Sequence, residues 1–413
     1  MRILYHGLGL GLGCTMLFSN LALAAGSAAK EETAMAGKLA QEDNLERFLG
    51  EAKFGMRQIF IGERFPNVVV ATDGTVLATW GSKSVKARRS HDGGETWGPE
   101  IPVADPGFHG GGLLVDESTG DILAFAQDKH PPAKKLLYRS KDQGKTWERE
   151  DLVIEKDVRG NVPEMHMAEH GITLCHGQHP GRLLRPARVY GKSDGYNTAI
   201  YSDNAGKTWR TSGPFPLMGT GEGAVAELSN GHLYYTSRKH WFKDAAQSRA
   251  ERSFAWSTDA GETWRDVEYD SELPDGPRYR GVEGRGASHQ GHFGMMCGLA
   301  RLPVENRDIL LYSNADTLGH ERVRMTVWVT LDGGKTWPVK RLIYEGPSAY
   351  SSLAAGRPGT PSEGWIYVLF EGGEKEKYEG GYLARFNLGW VLQGEKTGDG
   401  EPGVSAVRCG HDG

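Results

Sequence analysis

Ser257-Thr258-Asp259-Ala260-Gly261-Glu262-Thr263-Trp264 is one of five copies of an eight-residue pattern, Ser/Thr-x-Asp/Asn-x-Gly-x-Thr-Trp, whose other copies begin at Ser90, Ser140, Ser202 and Thr330. The Asp or Asn can bond its own turn, the Gly permits a positive φ, and the Trp offers a large face to pack between sheets. Ahead of each copy lies a short apolar strand, a tight turn and a second apolar strand. Residues 67–72, Asp73-Gly74 and 75–80 form one such block, and residues 224–228, Asn230-Gly231 and 232–236 another. Each unit therefore reads as a four-stranded antiparallel sheet with the box between its third and fourth strands. A sixth unit, residues 351–392, has the strands without the box. Such sheets cannot bury both faces alone, and radial packing solves this, so the expected fold class is all-β, a six-bladed β-propeller. Residues 56–61 are expected to add the outer strand of the sixth blade and close the ring.

Composition agrees with this reading. Among 413 residues there are 58 Gly, 11 Trp and 15 Tyr, and no long amphipathic helical pattern. The net charge of -5 argues against nucleic acid or an anionic membrane as the main partner. Arg2, the apolar residues 8–23 and Ala22-Leu23-Ala24-Ala25 have the layout of a secretory signal and are too short for a comfortable membrane span. The expected organisation is a signal peptide at 1–25, a lead-in at 26–53, a propeller at 54–393 and a tail at 394–413, in a secreted or periplasmic monomer. A lipoprotein reading through Cys14 is weak, because Gly11 stands three residues before it. Cys175, Cys297 and Cys409 are too widely spaced for a metal site and allow at most one disulfide.

In a four-stranded meander the start of the first strand and the end of the second share one edge, and the box lies at the other. First-strand starts carry Arg64, His109, His170, Glu222, His289 with His292, and Tyr350; second-strand ends carry Lys83, Asp128 with His130, Arg238, Arg322 and Glu371. One face is thus rich in guanidinium, carboxylate and aromatic hydroxyl.

These residues resemble the bacterial sialidase family, whose propellers carry the same box, known there as the Asp box. Glu63-Arg64-Phe65-Pro66 is similar to the family's Arg-x-Pro signature. Glu222 with Arg238, sixteen residues on, resembles its glutamate and second arginine, Arg322 its third arginine, and Ala349-Tyr350-Ser351-Ser352 its nucleophile motif. Phe370-Glu371-Gly372 resembles the last blade, whose glutamate orients the first arginine. The resemblance covers residues 56–392 and implies a cofactor-free, exo-acting hydrolase that releases terminal sialic acid from glycans with retention. Arg64, Arg238 and Arg322 would clamp the substrate carboxylate, where an anionic nucleophile would be repelled and a neutral tyrosine would not. Tyr350 would attack and Glu222 would accept its proton, which fits sialidases as the tyrosine exception among glycosidases.

The match fails at one point. The family's acid aspartate belongs on the loop after the second strand of blade one, and here that loop is Gly81-Ser82-Lys83-Ser84-Val85-Lys86, with no carboxyl group. His109 is the first substitute, since an imidazole donates protons near neutral pH, and Asp128 is the second. Lys83 stands where a further ligand-binding arginine is common. The alternatives left open are a glycan-binding propeller without turnover and a histidine-dependent glycosidase or lyase on the same scaffold.

Overall fold

The computed structural model describes residues 45–109, 112–165, 168–191, 194–240, 251–275, 294–317 and 321–397. The expected signal peptide, residues 26–44 of the lead-in, residues 398–413 of the tail, Cys14, Cys409, His289 and His292 lie outside the described residues. Among the described residues, Cys175 and Cys297 are free thiols and no helix is long and apolar enough to cross a membrane.

The strands Asn67–Val70, Val76–Trp80, Val85–Ser90 and Ile101–Ala104 pair in chain order as a four-stranded antiparallel sheet. The same meander recurs in Leu113–Val115, Ile122–Gln127, Lys135–Ser140 and Glu148–Glu150, then in Ile172–Thr173, Leu183–Val189, Tyr196–Ser202 and Arg210–Thr211. A fourth copy is Thr220–Glu227, Leu233–Lys239, Glu251–Ser257 and Arg265–Pro274. The remaining strands form one eight-stranded sheet, which corrects the expectation of six separate sheets. Its cause is the 17-residue strand Val339–Ala355. The first half of this strand pairs with Val323–Thr330 and the second half with Ile366–Gly372. Residues 341–348, Arg-Leu-Ile-Tyr-Glu-Gly-Pro-Ser, stay extended, so the two meanders run together. Phe54–Ile61 pairs antiparallel with Gly380–Phe386 at the sheet edge, the position foreseen for residues 56–61.

Apolar clusters lie between neighbouring sheets. Leu77 and Ala87 pack with Leu113, Ile122 and Ala124, and Leu184 and Ala199 with Val225 and Leu233. Val68 and Val76 of the first sheet pack with Tyr367, Leu369 and Leu383 of the last. The sheets thus succeed one another around a ring, and the innermost strand Thr220–Glu227 is buried along its whole length.

Each box ties its turn and locks onto the preceding sheet. Ser140 Oγ donates to Asp142 Oδ1 at 2.8 Å and accepts from Gly144 N at 2.7 Å, while Thr146 N donates to Asp142 Oδ1 at 2.9 Å. Gly144 has φ +82°, and a Cβ there would come within 2.2 Å of Leu77 Cδ2 in the sheet before. Gly160 has the same φ with nothing within 4 Å. Gly144→Ala should therefore cost about 1–3 kcal/mol more than Gly160→Ala, the part due to overpacking rather than to backbone strain. Urea unfolding of the two variants measures this difference; equal losses would mean that the box does not lock the sheets.

Candidate active site

The site grows from the first strands at the mouth opposite the boxes. In Thr220–Glu227 the pairing register slips between Gly221 and Gly223, and Glu222 sits in this bulge at φ 26°, a sparsely populated conformation for a side-chain-bearing residue. The bulge points its carboxylate at the partner groups. Glu222 Oε1 accepts from Tyr350 Oη at 2.9 Å, and Oε2 accepts from Arg238 Nη1 at 2.5 Å. Arg238 Nη1 also lies 3.3 Å from Tyr350 Oη. Glu222 is 1% exposed and Arg238 2%. Burial alone would raise the Glu222 carboxyl, but the guanidiniums of Arg238 and Arg188 outweigh it and hold the group below the usual glutamate value. Tyr350 is pushed the other way, upward, by burial and by the Glu222 charge. The pair is therefore an ionised carboxylate accepting a proton-bearing phenol.

A second pair adjoins it. Glu371 is fully buried and accepts from Arg64 Nε at 3.0 Å and Nη2 at 3.2 Å, from Phe65 N at 3.0 Å and from Tyr350 N at 3.2 Å. This one carboxylate orients the Arg64 fork and anchors the backbone of Tyr350. The Arg64 guanidinium lies 5.4 Å from the centre of the Tyr350 ring, and that of Arg322 5.2 Å from it. Arg322 Nη1 donates to Tyr378 Oη at 3.0 Å and Nη2 to Gly294 O at 3.2 Å, so both of its hydrogen bonds are to neutral oxygens. Arg64, Arg238, Arg322, Glu222, Glu371 and Tyr350 are thus gathered in one place.

Other expected residues are placed differently. Lys83 is exposed and Asp128 spends its carboxylate on Lys134 N at 3.2 Å, closing its own loop. His130 is exposed, edge-on to Phe108. His170 bonds Gly171 O and Leu353 O and lines a cavity of about 320 Å³ among the far ends of the first strands, away from Tyr350. His109 is 1% exposed, with Nε2 3.0 Å from Thr79 Oγ1, and burial together with Arg185 pushes its pKa down to about 3. An imidazole so held is uncharged at neutral pH, and its one remaining N–H is a weak acid. That burial and the bond to Thr79 do not favour His109 for the general-acid part expected of it.

Four side chains escaped the sequence reading. Tyr378 stacks 3.8 Å from the Arg64 guanidinium and bonds Arg322. Arg188 ends a second strand, Leu183–Val189, which is a position type already known to carry ligand groups. Glu63 accepts from Ser82 Oγ at 3.0 Å, which puts a carboxylate on the very loop that lacks one of its own. Glu169 donates its N–H to Gly223 O at 2.9 Å and accepts from Ser352 Oγ and Leu353 N, each at 2.8 Å. It thereby ties the strand of Glu222 to the strand of Tyr350, and burial keeps its carboxyl well above the usual range.

Residues 74–361 match the BNR repeat-like domain family. The chain is 30% identical over 370 residues to a sialidase of Micromonospora viridifaciens, covering 81% of this chain and 53% of that protein. It is 24% identical to a sialidase of Bacteroides fragilis, covering 70% and 57%. The chain thus spans about half the length of the curated relatives it matches. The intramolecular trans-sialidase of Ruminococcus gnavus superposes with a TM-score of 0.62 at 16% identity, covering 82% of this chain and 98% of that one, a likeness of fold. With the repeats, the sheet order and these matches together, the chain belongs to the BNR repeat-like domain family, and the curated relatives it resembles are sialidases.

Proposed function

We propose that the chain is an exo-acting sialidase, a retaining hydrolase that removes terminal sialic acid from glycans. The observation that carries this reading is Tyr350 Oη bonded to the buried Glu222 carboxylate beside three guanidiniums. The propeller spans residues 54–393, with the eight-stranded sheet counted as blades five and six. The protein acts as a secreted or periplasmic monomer once residues 1–25 are removed, and it needs no cofactor.

Arg64, Arg238 and Arg322 hold the substrate carboxylate, which sets the anomeric carbon against Tyr350. The Tyr350 Oη–anomeric carbon bond forms as its proton passes to Glu222 and the bond to the leaving oxygen breaks. Because burial keeps the phenol protonated, attack and proton transfer must be coupled. Water then displaces Tyr350, giving a proton to the carboxylate that protonated the leaving oxygen, while the tyrosine oxygen recovers its own proton from Glu222. Two displacements at one carbon leave the configuration retained.

The leaving oxygen takes its proton from Glu63, whose carboxyl group sits on the trimmed loop through Ser82. An aryl leaving group needs little such help. Glu63→Gln should therefore slow cleavage of sialyl-lactose by about 10²–10⁴ while sparing an aryl sialoside, and His109→Ala should not separate the two substrates. A loss of both activities in Glu63→Gln would reject the assignment.

The broader test is incubation with 3′-sialyl-lactose and identification of products by NMR. The expected product is free sialic acid, appearing first as the retained anomer, and Arg322→Ala should reduce kcat/KM about 10- to 100-fold without loss of fold. Release of an anhydro sugar would favour the intramolecular transfer chemistry named for the Ruminococcus gnavus protein. Tight binding without any product would favour a glycan-binding propeller.

A further inference from the structure

Tyr378 touches two of the three arginines assigned to the carboxylate clamp and neutralises neither. Its ring centre lies 3.8 Å from the Arg64 guanidinium, and its hydroxyl accepts from Arg322 Nη1 at 3.0 Å. A guanidinium over an aromatic face is drawn to the negative part of the ring quadrupole and stacks there.

The three arginines differ in what else holds them. Arg238 is paired with Glu222, and Arg64 with Glu371 through Nε and Nη2. Arg322 acts on the Glu222 charge from a distance, but no carboxylate is bonded to it among the described residues, and its other hydrogen bond goes to Gly294 O at 3.2 Å. A long side chain held by two neutral oxygens loses its orientation readily when one of them is taken away, because its rotamer entropy opposes order.

Tyr378 is itself fixed. In the turn that carries it, the Glu379 carboxylate accepts from the backbone N–H groups of Glu374 at 3.0 Å, Lys375 at 3.1 Å and Glu376 at 2.9 Å. Glu379 O accepts from Gly62 N at 2.8 Å, which ties the turn to the segment of Arg64. Tyr344 Oη donates to Gly373 O at 2.9 Å and pins the base of the turn. A carboxylate in place of the phenol would answer the charge of Arg322 and compete with an incoming anion. A tyrosine orients the guanidinium and leaves its charge for that anion.

We propose that Tyr378 is a positioning residue for substrate capture: by stacking on Arg64 and bonding Arg322 it fixes the spacing of two clamp arginines, so that both meet one carboxylate. This rests on the sialidase reading above and adds a residue to its binding machinery. The substrate carboxylate takes no part in bond making and is held in the ground state and the transition state alike, so loss of the brace falls on KM and spares kcat.

The test is steady-state cleavage of 3′-sialyl-lactose. Tyr378→Leu, which removes both face and hydroxyl, should raise KM about 10- to 100-fold with kcat changed less than about threefold, and Tyr378→Phe, which keeps the face, should raise KM about three- to tenfold. An unchanged KM in both variants, or a loss confined to kcat, overturns the proposal and leaves the hydrolase reading standing. NMR titration with sialic acid and with its methyl ester, whose anion is masked, supplies a readout that does not need turnover. The wild type should bind the acid at least about tenfold more tightly than the ester, and Tyr378→Leu should cut that preference by about threefold or more. Equal weakening of acid and ester in the variant marks a general disturbance and overturns the proposal, as does the absence of any preference in the wild type. If no sialoside is cleaved, the hydrolase reading fails on its own, and the acid-to-ester preference still decides the part of Tyr378.

Discussion

The Glu222 carboxylate, taken out of water and shared between the Arg238 guanidinium and the Tyr350 hydroxyl, is the interaction to which the rest of the site is subordinate. An ionised carboxylate has no place in a dry interior unless strong partners surround it. Here the partners come from different sheets, Arg238 from the neighbouring strand and Tyr350 from across the ring. The geometry therefore exists only if the ring closes. Closure in turn depends on the first strand, Phe54–Ile61, completing the last sheet, and on box glycines such as Gly144 seating against the sheet before.

Two buried acids hold that arrangement with different partners. Glu371 is ringed by donors, one of them the Arg64 fork, which it pairs and orients. Glu169 has no arginine or lysine paired with it among the described residues and accepts from a hydroxyl and a backbone N–H; burial raises its pKa, so it works as a neutral hydrogen-bonding group between the Glu222 and Tyr350 strands. The contrast follows from what faces each group, since the residue type is the same.

The repeat and the face rule made much of this legible. Five boxes fixed the spacing of the meanders, and the rule for strand ends named Tyr350, Glu222, Arg64, Arg238, Arg322 and Glu371, which lie together in the fold. What the sequence hid was direction and depth. His109 begins a first strand as Glu222 does, but it lies buried against Thr79, and nothing in Gly107-Phe108-His109 foretells that burial. Arg188 obeyed the same rule as Arg238 and was passed over because Arg-Val-Tyr at a strand end looks like ordinary surface. The strand Val339–Ala355 ran on because Gly346-Pro347, a pair that usually breaks a strand, remained extended here.

The central claim is that a buried neutral tyrosine, deprotonated by Glu222, is the group that bonds to the sugar. The most direct measurement is labelling with 2,3-difluorosialic acid, in which fluoride leaves readily while the fluorine at C3 slows the release of the glycosyl group from the enzyme. Peptide mapping by mass spectrometry should place the added sugar on Tyr350, with no label in Tyr350→Phe. A label on Glu222 or Glu371 instead, or turnover of a sialoside with no covalent species at all, would contradict the account.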